Sequence, residues 1–222
     1  VVCGVRNVDG IALNRVLGGS PSQIFGRLSS NGQVFLTNPS GILFGRGAQV
    51  DVGGILATTL AMSTDDFMSG HYLLRGNGTS SSILNQGTLR SAPGGYVALI
   101  APLVQNEGII DAARGTAALV AASAATVDFM ADGLIQIKVD QSAINAEITN
   151  MGAIRADGGT VFLTAKALDS LARSVVNNSG IIEARAVDNV KGVIRLSGGE
   201  VNLLPTSSIS AEGGGQIEVQ GG

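Results

Sequence analysis

The sequence predicts an all-β fold in which short strands wind into a single-stranded parallel β-helix. Two repeated patterns and a glycine-rich, weakly charged composition lead to this prediction. The first pattern is Asn-x-Gly-x-(Ile/Leu), which recurs at residues 85–89, 106–110, 150–154 and 178–182. Its first residues are 21, 44 and 28 positions apart, which fits a period near 22 with one double step and one repeat lengthened by an insertion.

The second pattern is a glycine followed by apolar residues at the second and fourth places. It begins at Gly95, Gly115, Gly159, Gly192 and Gly215. Alternation of this kind is typical of a strand that buries one face. We therefore expect apolar columns inside the coils, made of Val97, Leu99, Leu119, Val161, Leu163, Ile194 and Leu196.

The two patterns together place a glycine or an asparagine at each coil corner. These are the residues that adopt positive φ most readily, so the corners are expected to use that conformation. Asn85, Asn106, Asn150 and Asn178 should occupy equivalent corners and cap the backbone or stack as a ladder. At this period the 222 residues predict roughly ten coils and a rod about 45–50 Å long. An antiparallel sandwich also uses short strands, but it does not explain why the same residues recur at the same place.

The composition agrees with narrow coils. Glycine accounts for 32 of 222 residues, charged residues for 14% and aromatic residues for 4%. Mean hydropathy is +0.33, which we attribute to the internal columns. The longest uncharged apolar stretch, Thr116–Val127, is too short for the ~20 residues that a membrane-spanning helix needs.

Charge and cysteine content limit the classes of partner. The net charge is −3, and no cluster of Lys or Arg predicts nucleic-acid binding. Cys3 is the only cysteine, so no internal disulfide is expected. The absence of an internal disulfide is compatible with a reducing compartment, and equally with a chain that crosses a membrane in the unfolded state. Because the sequence starts at Val1 without Met or a signal peptide, we interpret it as a single domain, residues 1–222, truncated at its N-terminus.

Two segments depart from the strand pattern. Ser63 or Thr64 could cap a single helical turn whose first residues include aspartates. Residues 165–176 place apolar side chains at Leu168, Leu171 and Val175, a helical spacing, and are predicted to form the helical insertion that lengthens the third repeat.

No catalytic or metal-binding constellation is apparent. His71 and Cys3 alone cannot hold a metal, and Asp51, Asp111, Asp128 and Asp140 are scattered without a paired spacing. Polysaccharide-cleaving β-helices need grouped carboxylates on one outer face. The sequence therefore predicts no enzyme, no metal and no cofactor.

One turn carries more information than the rest. In Asn38-Pro39-Ser40-Gly41-Ile42, Pro39 lacks an N–H donor and Gly41 permits backbone that a side chain would block. Asn38 can accept a bond from the backbone two residues on. Taken alone, these five residues are equally consistent with an ordinary tight turn.

The stretch from Asn38 to Gly54 closely resembles the signature of the two-partner secretion domain, the haemagglutination-activity domain of filamentous-haemagglutinin-like exoproteins. The family motif is NPNGI, and here Ser40 occupies the third place. Serine, like asparagine, can bond back to the local backbone, so the turn should be preserved. The second family motif, NPNL, does not occur in these residues. The resemblance extends over essentially the whole chain.

The resemblance implies a right-handed β-helix with an N-terminal cap and small extra-helical insertions. It implies export to the periplasm of a Gram-negative bacterium and recognition by the POTRA domains of a cognate outer-membrane transporter. The exoprotein would then fold at the cell surface as a monomer, with residues 38–42 as the secretion motif. It leaves open whether the full-length exoprotein is an adhesin, a haem-binding protein or a contact-dependent toxin. An adhesive module for host carbohydrate or protein stays as an alternative, and a polysaccharide-cleaving β-helix is less favoured.

Overall fold

The structure, a computed structural model, describes residues 2–6, 10–78, 81–130, 135–166 and 173–221. These residues form twenty-six strands and one short helix. In chain order the elements are β1 (Val2–Arg6), β2 (Ala12–Val16), β3 (Ser22–Ile24), β4 (Arg27–Ser29), β5 (Gln33–Thr37), β6 (Ile42–Phe44), β7 (Gln49–Val52), β8 (Gly54–Thr58), α1 (Thr64–Met68), β9 (Tyr72–Arg75), β10 (Ser82–Asn85), β11 (Thr88–Ser91), β12 (Tyr96–Ala101), β13 (Leu103–Asn106), β14 (Ile109–Asp111), β15 (Thr116–Ala121), β16 (Ala124–Phe129), β17 (Ile135–Gln141), β18 (Asn145–Asn150), β19 (Ala153–Arg155), β20 (Thr160–Ala165), β21 (Arg173–Asn178), β22 (Ile181–Glu183), β23 (Val193–Ser197), β24 (Glu200–Leu203), β25 (Ser208–Ser210) and β26 (Gln216–Gln220).

Three long parallel sheets form the walls of a β-helix. Each coil gives one strand to sheet A (β2, β5, β8, β12, β15, β20, β23, β26), then one to sheet B (β3, β6, β10, β13, β18, β21, β24), then one to sheet C (β4, β7, β11, β14, β19, β22, β25). The described residues make seven complete coils and the first strand of an eighth, a stack about 34 Å long. The expected ten coils is too many, because two insertions, one between β8 and β10 and one between β15 and β18, leave the coils between sheets A and B.

The predicted interior columns are confirmed. Strands β12 and β15 pair in parallel, with Leu99 beside Leu119, and β15 pairs with β20, with Leu119 beside Leu163. All seven residues named from the alternation are at most 1% exposed and belong to one core. Each coil therefore adds its apolar side chains to a continuous interior.

The N-terminal end of sheet A is covered by β1. This strand pairs antiparallel with β2, from Val2 opposite Val16 to Arg6 opposite Ala12. It occupies the edge of β2 and so protects backbone groups that would otherwise be open to strand addition.

A second layer covers the outer face of sheet A from β2 to β15. The insertions supply α1 and a three-stranded antiparallel sheet, in the order β17-β16-β9, which we call the outer sheet. Ser63 caps α1 by accepting a hydrogen bond from the backbone N–H of Asp66 at 3.0 Å, and Asp65 and Asp66 lie in the first turn, as predicted. No helix in the described ranges is long and apolar enough to span a membrane.

An aromatic cluster fills the space between the outer sheet and sheet A. It contains five of the eight aromatic side chains, with neighbouring ring centroids 5.1–6.3 Å apart: Phe35, Phe67, Tyr72, Tyr96 and Phe129. We call this second apolar region, with the aliphatic residues around it, the outer core. The high mean hydropathy therefore has two sources, the outer core as well as the internal columns expected from the sequence.

The helix predicted over residues 165–176 is wrong at both ends. Ala165 ends β20, and Arg173 begins β21, in which Val175 and Val176 are buried. Two adjacent β-branched residues suit a strand with both faces covered. Leu168 and Leu171 lie outside the described residues.

Candidate functional site: the Asn38–Ile42 turn

The Asn38–Ile42 turn connects β5 of sheet A to β6 of sheet B in the second coil. The backbone N–H of Gly41 donates to the carbonyl of Asn38 at 3.0 Å, which closes a four-residue turn. Gly41 has φ +117°, a conformation that L side chains rarely adopt. Here the glycine is required by its backbone angle, as the sequence indicated.

The side chain of Asn38 is fully buried, and both its Oδ1 and its Nδ2 form hydrogen bonds. Its Oδ1 accepts from the backbone N–H of Ser40 at 2.9 Å, the local bond expected from the sequence. Its Nδ2 donates to the carbonyl of Ser20 at 3.0 Å and to the Ser22 hydroxyl at 2.8 Å. An alanine at this position would remove all three hydrogen bonds of the buried Asn38 amide.

The turn also contacts the third coil. The backbone N–H of Asn38 donates to the carbonyl of Thr58 at 3.0 Å. The hydroxyl of Ser81 donates to the carbonyl of Pro39 at 2.5 Å. The turn therefore connects the first, second and third coils, and these long-range partners, Ser20, Ser22 and Ser81, were not identifiable from the sequence because no local pattern marks them.

Little of the turn is accessible in the folded domain. Asn38 and Gly41 are buried, and Ile42 is 2% exposed within the interior core, while Pro39 and Ser40 are half-buried. A partner that met the folded domain would touch only the tip of the turn.

The four repeat asparagines occupy one corner, between sheets B and C. In-register pairing places Asn85, Asn106, Asn150 and Asn178 on consecutive coils. Each Nδ2 donates to the next Oδ1, at 2.8, 2.8 and 2.7 Å along the series. All four side chains are completely buried, so the ladder satisfies amides that burial would otherwise penalise.

The glycine two residues after each ladder asparagine is required by close packing. A Cβ placed on Gly108 would overlap the carbonyl oxygen of Gly87, and Gly152 and Gly180 stand in the same relation to the preceding coil. None of these glycines has positive φ, and neither does any ladder asparagine. The expectation of positive φ at these corners is therefore wrong, because the corner needs space for the neighbouring backbone instead.

The remaining candidate groups do not converge. Asp51 and Asp111 are separated by Arg90, and Asp128 and Asp140 lie in the outer sheet. Within the described residues no three His, Cys, Asp or Glu side chains are close enough to hold a metal ion. His71 is exposed, and Cys3 lies in the cap strand β1.

Tyr96 is a titratable group buried in the outer core. Burial, helped by the nearby Tyr72, raises the pKa of Tyr96 well above 10.0. Its hydroxyl lies 2.9 Å from Oε1 of Gln33, so the buried phenol has a hydrogen-bond partner. This bond connects the outer core to Gln33 of β5.

This fold and these repeats can be compared with known proteins. The sequence profile of the TPS secretion domain matches residues 6–219. The chain belongs to this family. TPS secretion domains are parts of exoproteins that leave the cell by two-partner secretion, so the expected family is confirmed.

Similar proteins were found both by sequence and by structure. The chain is 30% identical over 219 residues to a heme/hemopexin-binding protein of Haemophilus influenzae strain Rd, covering 93% of this chain and 23% of that protein. A second Haemophilus influenzae heme/hemopexin-binding protein is 29% identical over 226 residues. The HMW1 secretion domain from Haemophilus influenzae superposes with a TM-score of 0.80 at 27% identity, covering 95% of this chain and 64% of that one. The chain spans about a quarter of the length of the two heme/hemopexin-binding proteins.

Proposed function

We propose that this TPS secretion domain directs a large exoprotein to its outer-membrane transporter and then starts the folding of that exoprotein at the cell surface. The POTRA domains of the transporter would recognise the domain in the periplasm, before it folds. The folded product would stay on the surface or be released as a monomer. The domain acts without catalysis or cofactor in this proposal.

The main support is the position of the Asn38–Ile42 turn. Its most specific side chain, Asn38, is buried and hydrogen-bonded to Ser20, Ser22 and Ser40, so it is available to another protein only while the chain is unfolded. Together with the backbone contacts of the turn, these bonds connect the first three coils. One motif can therefore serve recognition before export and nucleation after it.

The solenoid architecture supports directional folding. Coils contact mainly their neighbours, so folding can begin at one end and propagate. Each coil that forms outside the membrane buries apolar columns and opposes return of the chain through the transporter. No disulfide within the chain would hinder threading, since Cys3 is the only cysteine.

Co-expression with the cognate transporter tests the proposal. Asn38→Ala and Pro39→Ala should reduce the amount of exoprotein in the medium, whereas Ser40→Asn, which restores the family motif, should be secreted normally. Refolding of each purified domain, followed by circular dichroism, separates a folding defect from a recognition defect. Normal secretion of both alanine variants with an intact fold would remove the turn from the mechanism.

Recognition of the unfolded chain requires a separate binding experiment. The immobilised periplasmic domains of the transporter should capture freshly diluted, unfolded domain more strongly than prefolded domain. The Asn38→Ala chain should lose this preference. Equal binding of folded and unfolded chains would contradict the proposed order of recognition and folding.

The alternative of an adhesive module has less support. Carbohydrate sites commonly use exposed aromatic rings, but among the described residues only Phe25, 57% exposed, is an exposed aromatic side chain. Haem or hemopexin binding, which the names of the relatives state for those whole proteins, would be a property to test on the full exoprotein.

A further inference from the structure

A column of alternating charges runs along the outer face of sheet C. Pairing in register places Asp51, Arg90, Asp111, Arg155 and Glu183 beside one another, one residue for each of five consecutive coils. The signs alternate without exception. We call this set the charge column.

Three of the four neighbouring pairs in the charge column form partly exposed ion pairs. Arg90 lies 3.5 Å from Asp51 and 3.4 Å from Asp111, and Arg155 lies 2.9 Å from Glu183. The side chains are 25–55% exposed. Pairs of this kind add little to the stability of a native state, so stability alone does not explain the alternation.

The alternation extends beyond this column. Arg195 of β23 lies in register with Glu218 of β26, at 2.8 Å. Among the described strands, every in-register pair of charged residues, five in all, is of opposite sign. Like charges directly opposite each other in a sheet are destabilising, so this arrangement excludes repulsion between neighbouring coils.

The other repeated features do not distinguish the third to sixth coils from one another, although the second coil has Phe44 in place of the asparagine. The ladder asparagines and corner glycines are identical in four coils, and the inward residue beside each column charge is always Val, Leu or Ile. A strand that skipped a coil would still complete the asparagine ladder and the apolar columns. It would, however, place Asp51 beside Asp111, or Arg90 beside Arg155.

We propose that the charge column sets the order of the coils during folding, by making skipped-coil pairings repulsive and adjacent-coil pairings attractive. It acts against misfolded alternatives that the repeated core would otherwise accept. The proposal concerns the chain folding by itself, and it stands whether or not the secretion function proposed above is correct.

Disulfide trapping can read the register directly. In a Cys3→Ser background, Thr88→Cys and Ile109→Cys place two thiols on adjacent coils, in the column beside the charges. Cysteines at Gln49 and Ile109 lie two coils apart, about 9.6 Å, beyond the reach of a disulfide. The first pair should cross-link in correctly folded chains, and the second only in chains that skip the coil of β11.

The decisive variants change the pattern of charge. Arg90→Glu creates three successive negative charges and should lower the ratio of adjacent to skipped cross-links by about tenfold after refolding from urea. Reversing all five signs (Asp51→Arg, Arg90→Asp, Asp111→Arg, Arg155→Asp, Glu183→Arg) keeps the alternation and should restore the ratio. For Arg90→Glu, refolding in 1 M NaCl should also recover it, since the Debye length falls to about 3 Å.

A neutral column provides the test that can overturn the proposal. Replacing all five residues with Asn or Gln removes both attraction and repulsion, and skipped-coil cross-links should appear. If this variant refolds with as few skipped cross-links as the unaltered chain, the charges do not set the order. If the fully reversed column behaves like Arg90→Glu, individual contacts matter rather than alternation, and the proposal also fails.

Discussion

The middle and the C-terminal strands of sheet A are built differently. Every residue of β8, β12 and β15 is buried, whereas in β20 and β23 buried residues alternate with half-buried or exposed ones. The middle strands are covered on both faces, by the coil interior and by the outer core. An unbroken apolar strand in this β-helix therefore indicates a second layer of structure on its outer face.

The largest predicted effect distinguishes the two regions by matched substitutions. Leu119 is in register with Leu163, and Val120 with Thr164. Asp at Leu119, Val120 or Leu163 would bury an unpaired charge and should cost more than about 4 kcal/mol in the free energy of unfolding. Thr164→Asp, on the half-buried face, should cost less than about 1 kcal/mol. Urea unfolding followed by far-UV circular dichroism measures each value, and a tolerated Val120→Asp would contradict the outer layer.

The next prediction concerns the aromatic cluster of the middle region. Phe35 is buried against the rings of Phe67, Tyr72 and Phe129. Phe35→Ala should lower the free energy of unfolding by about 3–5 kcal/mol, because the cavity cannot collapse fully. Phe25→Ala, at an exposed ring, is the matched control and should change it by less than about 1 kcal/mol. Equal effects would show that the cluster is not tightly packed.

The asparagine ladder runs through both the middle and the C-terminal regions, so its loss tests whether the two regions depend on each other. Asn106→Ala leaves the amide of Asn85 and the Oδ1 of Asn150 without partners and should cost about 2–4 kcal/mol. Asn178→Ala, at the ladder end, removes the partner of one neighbour and should cost about half as much.

Urea unfolding of the ladder variants can be followed by far-UV circular dichroism for the whole domain and by tyrosine fluorescence for the middle region. The chain has no Trp, and both tyrosines lie in the outer core, so this signal follows the middle region alone. If Asn106→Ala lowers the midpoints of fluorescence and far-UV circular dichroism together, the two regions unfold as one unit. A fluorescence midpoint that stays unchanged would show that they unfold separately.

The smallest predicted effect lies at a corner of the C-terminal region. Burial raises the pKa of Asp157, but hydrogen bonds from Arg185 and the charges of Arg185 and Arg155 together hold it below 3.8. The stabilisation is therefore complete above the unfolded pKa and disappears as the pH falls through the lower, folded pKa. Wild type and Arg185→Gln should differ slightly and constantly from pH 7 to about pH 5, and converge below that. A difference that grows in acid would contradict the assignment.

Much of the fold could be predicted because its repeats are local. The columns and the shared corner of the ladder asparagines follow from spacing alone. The coil count could not be predicted, because insertion lengths obey no period. The outer sheet was also missed, although the unbroken apolar runs of β12 and β15 were a usable signal.

The candidate site divides in the same way. The bond from the Ser40 N–H to Asn38 is local and was expected, while the contacts with Ser20 and Ser81 arise only when coils stack. The charge column was visible in principle. Four of its members stand five residues after a ladder asparagine, but their alternation acquires meaning only once the coils are placed in register.

The corner glycines have a practical consequence for engineering this domain. Between sheets B and C, the four ladder corners keep the same two-residue length, and the backbone of each coil fills the space above the last. A tag, epitope or extra loop placed there would clash with the backbone of the neighbouring coil and disrupt the stack. Between sheets A and B the chain already accommodates insertions after β8 and β15. These two positions are where the domain could carry a foreign sequence without losing its stack.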